Sequence, residues 1–308
     1  MTEALLAAGK HSITAITRHD SQSDLPNGVE VRKIDYEKQE TLVAALQDQD
    51  ALIITLSGGP HVEKAQKQLI DAAVAADVRW VFPNEWGFDT GNPSLIKDII
   101  ISRPIANVRE YLQQQSKLSF TSVITGFWYE WSLSIGPAYG IDTVNRTATL
   151  FDDGTTKIST STWPQVGRAV AALLALPISS EGSDGPCLND FRNQLVYVSS
   201  FLVSQRDMLE SVYRVTGTSE SDWTITSESA RQRYDDGIKE MNQGSRVGFA
   251  KMMYTRIFWD DNVGDCEHKS SNNKLGLPKE DLDEATKRAV QRAKETGGSW
   301  GTTSTQKH

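Results

Sequence analysis

The chain has 308 residues, enough for one large domain or two closely packed ones with a sizeable core. Hydrophobic residues make up 38% and charged residues 23%, which excludes wholesale disorder. With 32 basic against 40 acidic side chains the net charge is −8, so no nucleic-acid partner is expected.

In chain order, Thr2–Ala8 reads as a helix closed by Gly9, so the sequence opens on a helix rather than a strand. Five short β-branched or apolar runs follow: Ser12–Thr17, Val29–Ile34, Ala51–Ser57, Val78–Pro83 and Ser119–Thr125. Between them lie helical periods, with Leu42, Val43 and Leu46 on one face and Val62, Ala65, Leu69, Ala72, Ala73 and Ala76 on another. Alternation of this kind predicts an α/β fold, a Rossmann-type doubly wound parallel sheet whose strands are buried on both faces. Beyond residue 125 the pattern loosens. Trp128–Ile135, Gln165–Leu176, Arg206–Thr216, Ser229–Met241, Arg246–Phe258 and Glu280–Lys294 are expected helices, Leu195–Ser200 a strand, and Ser179–Asp190 a surface loop. The expected division is a nucleotide-binding domain over 1–150, a smaller α+β capping region over 151–296 with segments returning to the sheet, and a disordered tail over 297–308.

Cys187 and Cys266 form no CxxC or His/Cys cluster, and the five histidines lack ligand spacing, so no metal is expected. No stretch approaches the roughly 20 apolar residues of a membrane span, and the first residues lack the apolar core of a secretory signal. The expectation is a soluble cytoplasmic protein without a membrane partner.

Arg18 closes the first strand. In a doubly wound fold the residue about 20 positions after a glycine-rich turn meets the adenosine ribose, and an arginine there pairs with the 2′-phosphate of NADP. The other reading is a solvated surface arginine. Counting back about 20 residues from Arg18 passes Met1, so the turn G-x-G-x-x-G and the strand before it are expected to be missing. Asp35 either caps the next helix or touches the adenine edge. Ser57, ahead of Gly58 and Gly59, ends the Ala51–Ser57 strand where ligands of open α/β sheets lie, though the glycines equally suit a tight turn. No tyrosine is followed by lysine four residues on, and no Gly-x-Ser-x-Gly elbow occurs, so the catalytic residue is left unknown. Asp260, Asp261, Asp265 and Glu267 read as a solvated acidic loop.

The run Trp80-Val81-Phe82-Pro83-Asn84-Glu85-Trp86-Gly87-Phe88-Asp89 resembles the P-S-E-F-G-x-D segment of the NmrA-like and isoflavone-reductase-like family of atypical short-chain dehydrogenases. Thr125–Leu133, Phe151–Gly154, Thr162–Arg168 and Leu275–Asp283 follow in the family's order and look most like its fungal branch. The resemblance implies NADP (NADPH) as cofactor and a small conjugated or aromatic substrate, in secondary metabolism. It implies that Arg18 holds the 2′-phosphate, that Asn84, Glu85, Trp86 and Gly87 lie under the nicotinamide, and that Thr125, Gly126 and Phe127 lie beside it. Trp128, Tyr129 and Trp131 are implied to wall the substrate pocket, against the alternative that they pack in the core. The family's lysine in K-x-x-V/I-R falls here on Ile105, before Asn107, Val108 and Arg109, and an isoleucine moves no proton. The resemblance also leaves two other functions open: an NmrA-type dinucleotide-sensing regulator with a protein partner and no turnover, or a truncated inactive homologue.

Overall fold

The structure is a computed structural model that describes residues 1–22, 24–180 and 185–298. Residues 181–184 of the expected loop and the expected tail beyond 298 lie outside the described residues.

The first half comprises α1 (Thr2–Ala8), β1 (Ile13–Arg18), β2 (Val29–Ile34), α2 (Gln39–Leu46), β3 (Ala51–Ile53) and α3 (Val62–Ala75). It continues through β4 (Trp80–Phe82), α4 (Pro93–Asp98), α5 (Ser102–Gln113) and β5 (Ser119–Ile124). Gly9 adopts φ 63° and returns its N–H to the Leu6 carbonyl, which ends α1 as its position suggests. In α3 the buried side chains Leu69, Ile70, Ala72 and Ala73 recur at helical spacing and face the sheet.

The second half adds β6 (Phe127–Trp128), α6 (Tyr129–Leu133), α7 (Gly136–Tyr139), β7 (Ile141–Asp142), β8 (Thr147–Phe151), β9 (Ile158–Ser161) and α8 (Trp163–Ala175). Then come β10 (Gln194–Tyr197), β11 (Phe201–Val203), α9 (Gln205–Thr216), β12 (Thr224–Glu228), α10 (Ala230–Asn242), α11 (Arg246–Thr255) and α12 (Leu282–Thr296). Of the expected helix Trp128–Ile135, Trp128 ends β6 and only Tyr129–Leu133 is helical.

Strands β3, β4, β5 and β10 form a parallel sheet in the order β10-β5-β4-β3, with Gln194–Tyr197 returning from the second half to lie beside β5. Strands β1 and β2 form a separate parallel pair. Ile13 of β1 and Ile53 of β3 pack on the same helical layer with Leu5, Val170 and Ala171, and Ile16, Leu52 and Ile54 share the core of the opposite face. The two strands therefore occupy one layer, yet among the described residues no ladder joins them. The sheet is interrupted between β1 and β3. This corrects the expectation that every strand is buried on both faces. All six residues of β5 are buried, whereas no residue of β1 is, because β1 has a hydrogen-bonded neighbour on one side only.

The remaining strands make two small sheets, β11-β9-β6 and β12-β8-β7. Around them Tyr139, Phe151, Tyr254 and Phe258 meet edge to face, with Phe258 5.3 Å from Phe151 and 5.9 Å from Tyr139. Arg256 is buried here and is neutralised by Asp98 at 2.6 Å and Asp261 at 2.8 Å. One member of the acidic loop is therefore committed to an internal ion pair, while Asp260 stays exposed. Among the described residues no helix is long and apolar enough to cross a membrane.

Candidate cofactor and substrate site

Parallel strands deliver their C-terminal ends to one edge of the sheet. Arg18 ends β1, Asp35 follows β2, Ser57 lies beyond β3, Asn84–Gly87 follow β4, and Thr125–Phe127 follow β5. That edge is where open α/β sheets hold ligands.

Arg18 pairs in register with Ile34, and its side chain is 71% exposed, with Asp20 at 3.6 Å. Its charge reaches Tyr36, whose phenol burial pushes up while Arg18 opposes the shift. Asp35 does not cap α2, whose N-cap is Lys38. Its Oδ1 instead accepts from the Glu37 N–H at 3.0 Å, which fixes the turn ahead of the helix. Ser57 is exposed, and a Cβ added at Gly58 or Gly59 would meet nothing within 4 Å.

In the loop after β4 each side chain has its own task. Asn84 clamps the continuation of β3, accepting from Leu56 N at 3.1 Å and donating to Leu56 O at 3.0 Å. Trp86 donates to Ile54 O at 2.8 Å and packs with Leu5 and Val170. Glu85 is 1% exposed at its side chain and carries a buried ion pair with Arg109 of α5, while the Thr90 hydroxyl donates to the same oxygen. Arg109 also donates to the Thr90 carbonyl at 2.8 Å. Glu85 Oε2 and the Ser122 hydroxyl lie side by side in the interior, outside regular hydrogen-bond geometry, and the hydroxyl still favours the charged carboxylate. Burial raises the Glu85 pKa to about 7 against the opposing pull of Arg109. Gly87 leaves open space, since a Cβ added there would meet nothing within 4 Å, and its carbonyl accepts from Thr125 N at 3.1 Å.

Thr125 is fully buried. Its hydroxyl accepts from Trp128 Nε1 at 3.2 Å, and its carbonyl accepts from Ser161 at 2.6 Å. Gly126 takes φ 63° and crosses so close to β9 that a Cβ would lie 2.1 Å from the Ser159 carbonyl oxygen. Two of the aromatic side chains in this stretch lie in the core. The Phe127 ring stacks on Tyr254 at 4.0 Å inside the core, so only its backbone lies at the strand end. Tyr129 is 0% exposed, and its hydroxyl pairs with Thr286 at 2.7 Å, so it walls no pocket. Trp128, at the end of β6, and Trp131, within α6, are half-buried.

Ile105 lies inside the first turns of α5, which begins at Ser102. Neither upstream cation reaches the site. Lys97 is exposed in the last turn of α4, and Arg103 is exposed and faces Glu110 at 3.5 Å. Sequence reasoning did not single out Lys269, which binds Asp89 at 2.8 Å, or Tyr197, which donates to the same carboxylate at 3.0 Å. The three residues are far apart along the chain, and no local pattern links them.

This is a dinucleotide-binding α/β fold with its loops gathered at the strand ends. Residues 1–162 match the family model described as NAD(P)H-binding, and the chain belongs to that family. It is 27% identical to the oxidoreductase poxI of Penicillium oxalicum over 297 residues, covering 94% of this chain and 89% of that protein. An isoflavone reductase structure superposes with a TM-score of 0.69 at 16% identity, covering 92% of this chain and 93% of that one. The NADPH-dependent quinone oxidoreductase QOR2 of Escherichia coli, complexed with NADPH, gives 0.67 at 17% identity, covering 92% and 94%. These structures share the fold.

Proposed function

We propose that the chain is an NADPH-dependent reductase of a small conjugated or aromatic metabolite, in secondary metabolism. The observation that carries the reading is Arg18, an open guanidinium at the end of β1, on the sheet edge that also presents Gly87 and Thr125. Support comes from the matched NAD(P)H-binding family, from relatives named as oxidoreductases, and from a structural neighbour complexed with NADPH.

The residues fit the two ends of the dinucleotide. Arg18 offers a fork of donors to a 2′-phosphate, and the open surfaces at Gly58, Gly59 and Gly87 let backbone approach a ligand closely. When bound, the nicotinamide supplies a hydride. The chain's part is positional: the Glu85–Arg109–Thr90 set holds the loop after β4, the Gly87 carbonyl ties it to Thr125, and Trp128 covers Thr125 from solvent. Ile105 favours a second reading, a nucleotide-sensing protein that binds a partner without turnover, because no proton donor stands at that position.

Turnover separates the two. NADPH absorbance should fall when a panel of enones and quinones is added, whereas saturable NADPH binding with no consumption across the panel supports the sensor. Replacing Arg18 by Ala should weaken NADPH about tenfold or more, matching about 1.5–3 kcal/mol for a hydrogen bond to a charged group, and leave NADH nearly unchanged. Equal losses for both nucleotides remove Arg18 from the 2′-phosphate.

A further inference from the structure

Helix α12 presents two arginines one turn apart on the face it turns toward α6. Arg288 is neutralised: its Nε and Nη2 donate to Glu130 Oε1 at 3.1 and 3.0 Å. The other oxygen of the same buried carboxylate accepts from the Trp163 backbone N–H at 3.1 Å, which fixes the start of α8. Arg292, four residues on, is placed differently. Its guanidinium lies 4.4 Å from the Trp131 ring centroid and 5.5 Å from that of Trp163, half-buried, with Nε shut from solvent and unpartnered. Among the described residues its side chain makes no ion pair, and the carboxylate whose charge acts on it is that of Glu295. A guanidinium does not discharge by losing its proton, so the positive charge stays.

The indoles lead from this cation back to the strand ends. Trp163 meets Trp128 edge to face at 6.4 Å, and Trp128 donates to Thr125 beside Gly126. Planar faces with a donor fork at the far end suit a planar ligand that ends in a carboxylate: the rings stack and the fork binds both oxygens. We propose that Arg292, with Trp128, Trp131 and Trp163, forms the acid-recognising end of the substrate site and selects aromatic or conjugated carboxylates. This rests on the reductase reading above and narrows its substrate class.

The probes are 2-naphthoate and its neutral amide, 2-naphthamide, titrated by calorimetry into the full chain with and without saturating NADP+. The expected result is naphthoate bound at least about tenfold more tightly than the amide, a preference that Arg292→Gln reduces to within about twofold. Arg292→Lys, which keeps the charge and loses the fork, should fall between. Equal affinity of the two probes for the unaltered chain, no saturable binding of either, or a preference that survives Arg292→Gln overturns the assignment. The first two outcomes hold even if the glutamine variant does not fold. NADP+ binding is read in the same titrations. If it is present without a carboxylate preference, only this inference fails; if it is absent, the reductase reading fails as well.

Discussion

Replacing Arg109 with methionine is expected to cost about 3–5 kcal/mol of stability at pH 8, because the Glu85 carboxylate then stays buried without its counter-ion. The side chains are 14% and 1% exposed, so solvent screens neither. The sign of the pH dependence follows from Glu85. Its folded pKa is raised to about 7 from 4.5 by burial, so the native state binds the proton more tightly than the unfolded chain. The stability this contributes is complete below about 4.5 and is lost as the pH rises through about 7. Without Arg109 the folded pKa rises further, and the neutral acid needs no cation. Urea unfolding should therefore show a smaller loss at pH 5.5 than at pH 8. A loss below about 1 kcal/mol that is the same at both pH values would show that the pair does not hold the loop.

Gly126→Ala is expected to be nearly as damaging, by a different route. The backbone sits at φ 63°, which costs a non-glycine residue about 1–2 kcal/mol. The new methyl would also lie 2.1 Å from the Ser159 carbonyl oxygen and 2.8 Å from its carbon, both in β9. Forcing the strand away adds about 1–3 kcal/mol of overpacking and unseats Thr125. Gly87→Ala is the contrast. With nothing within 4 Å of the added carbon, it should change stability by no more than about 0.5 kcal/mol and still weaken NADPH. Comparable melting of the two variants would mean that the turn at Gly126 tolerates a side chain.

The parallel strands were legible because their apolar runs are dense and their spacing regular; β2 to β5 fall within the expected runs, and β1 overruns its own by one residue, Arg18. The second half was less so, for a chemical reason. Strand β9 reads Ile-Ser-Thr-Ser, which has little apolar content, yet all four residues are buried. Its hydroxyls satisfy the backbone of neighbouring segments, as Ser161 does for Thr125 and Ser159 for Cys266 N. The aromatic cluster 127–131 shows a second limit. The resemblance implied a pocket wall, but the packing around α6 buries Tyr129, Glu130, Ser132 and Leu133 and leaves Trp131 half-buried, as is Trp128 in the strand before it. The partners that give the site its character are distant in sequence: Glu85 meets Arg109 across 24 positions and Trp131 meets Arg292 across far more.

In the proposed function NADPH lies across the strand ends from Arg18 to Thr125. Amide hydrogen exchange of the full chain with and without NADPH tests this directly. Slower exchange at residues 18–21, 54–60, 84–89 and 125–128, saturating at micromolar nucleotide, is the result expected. Protection confined to other segments, such as α10 and α11, or no protection at millimolar nucleotide, would contradict it.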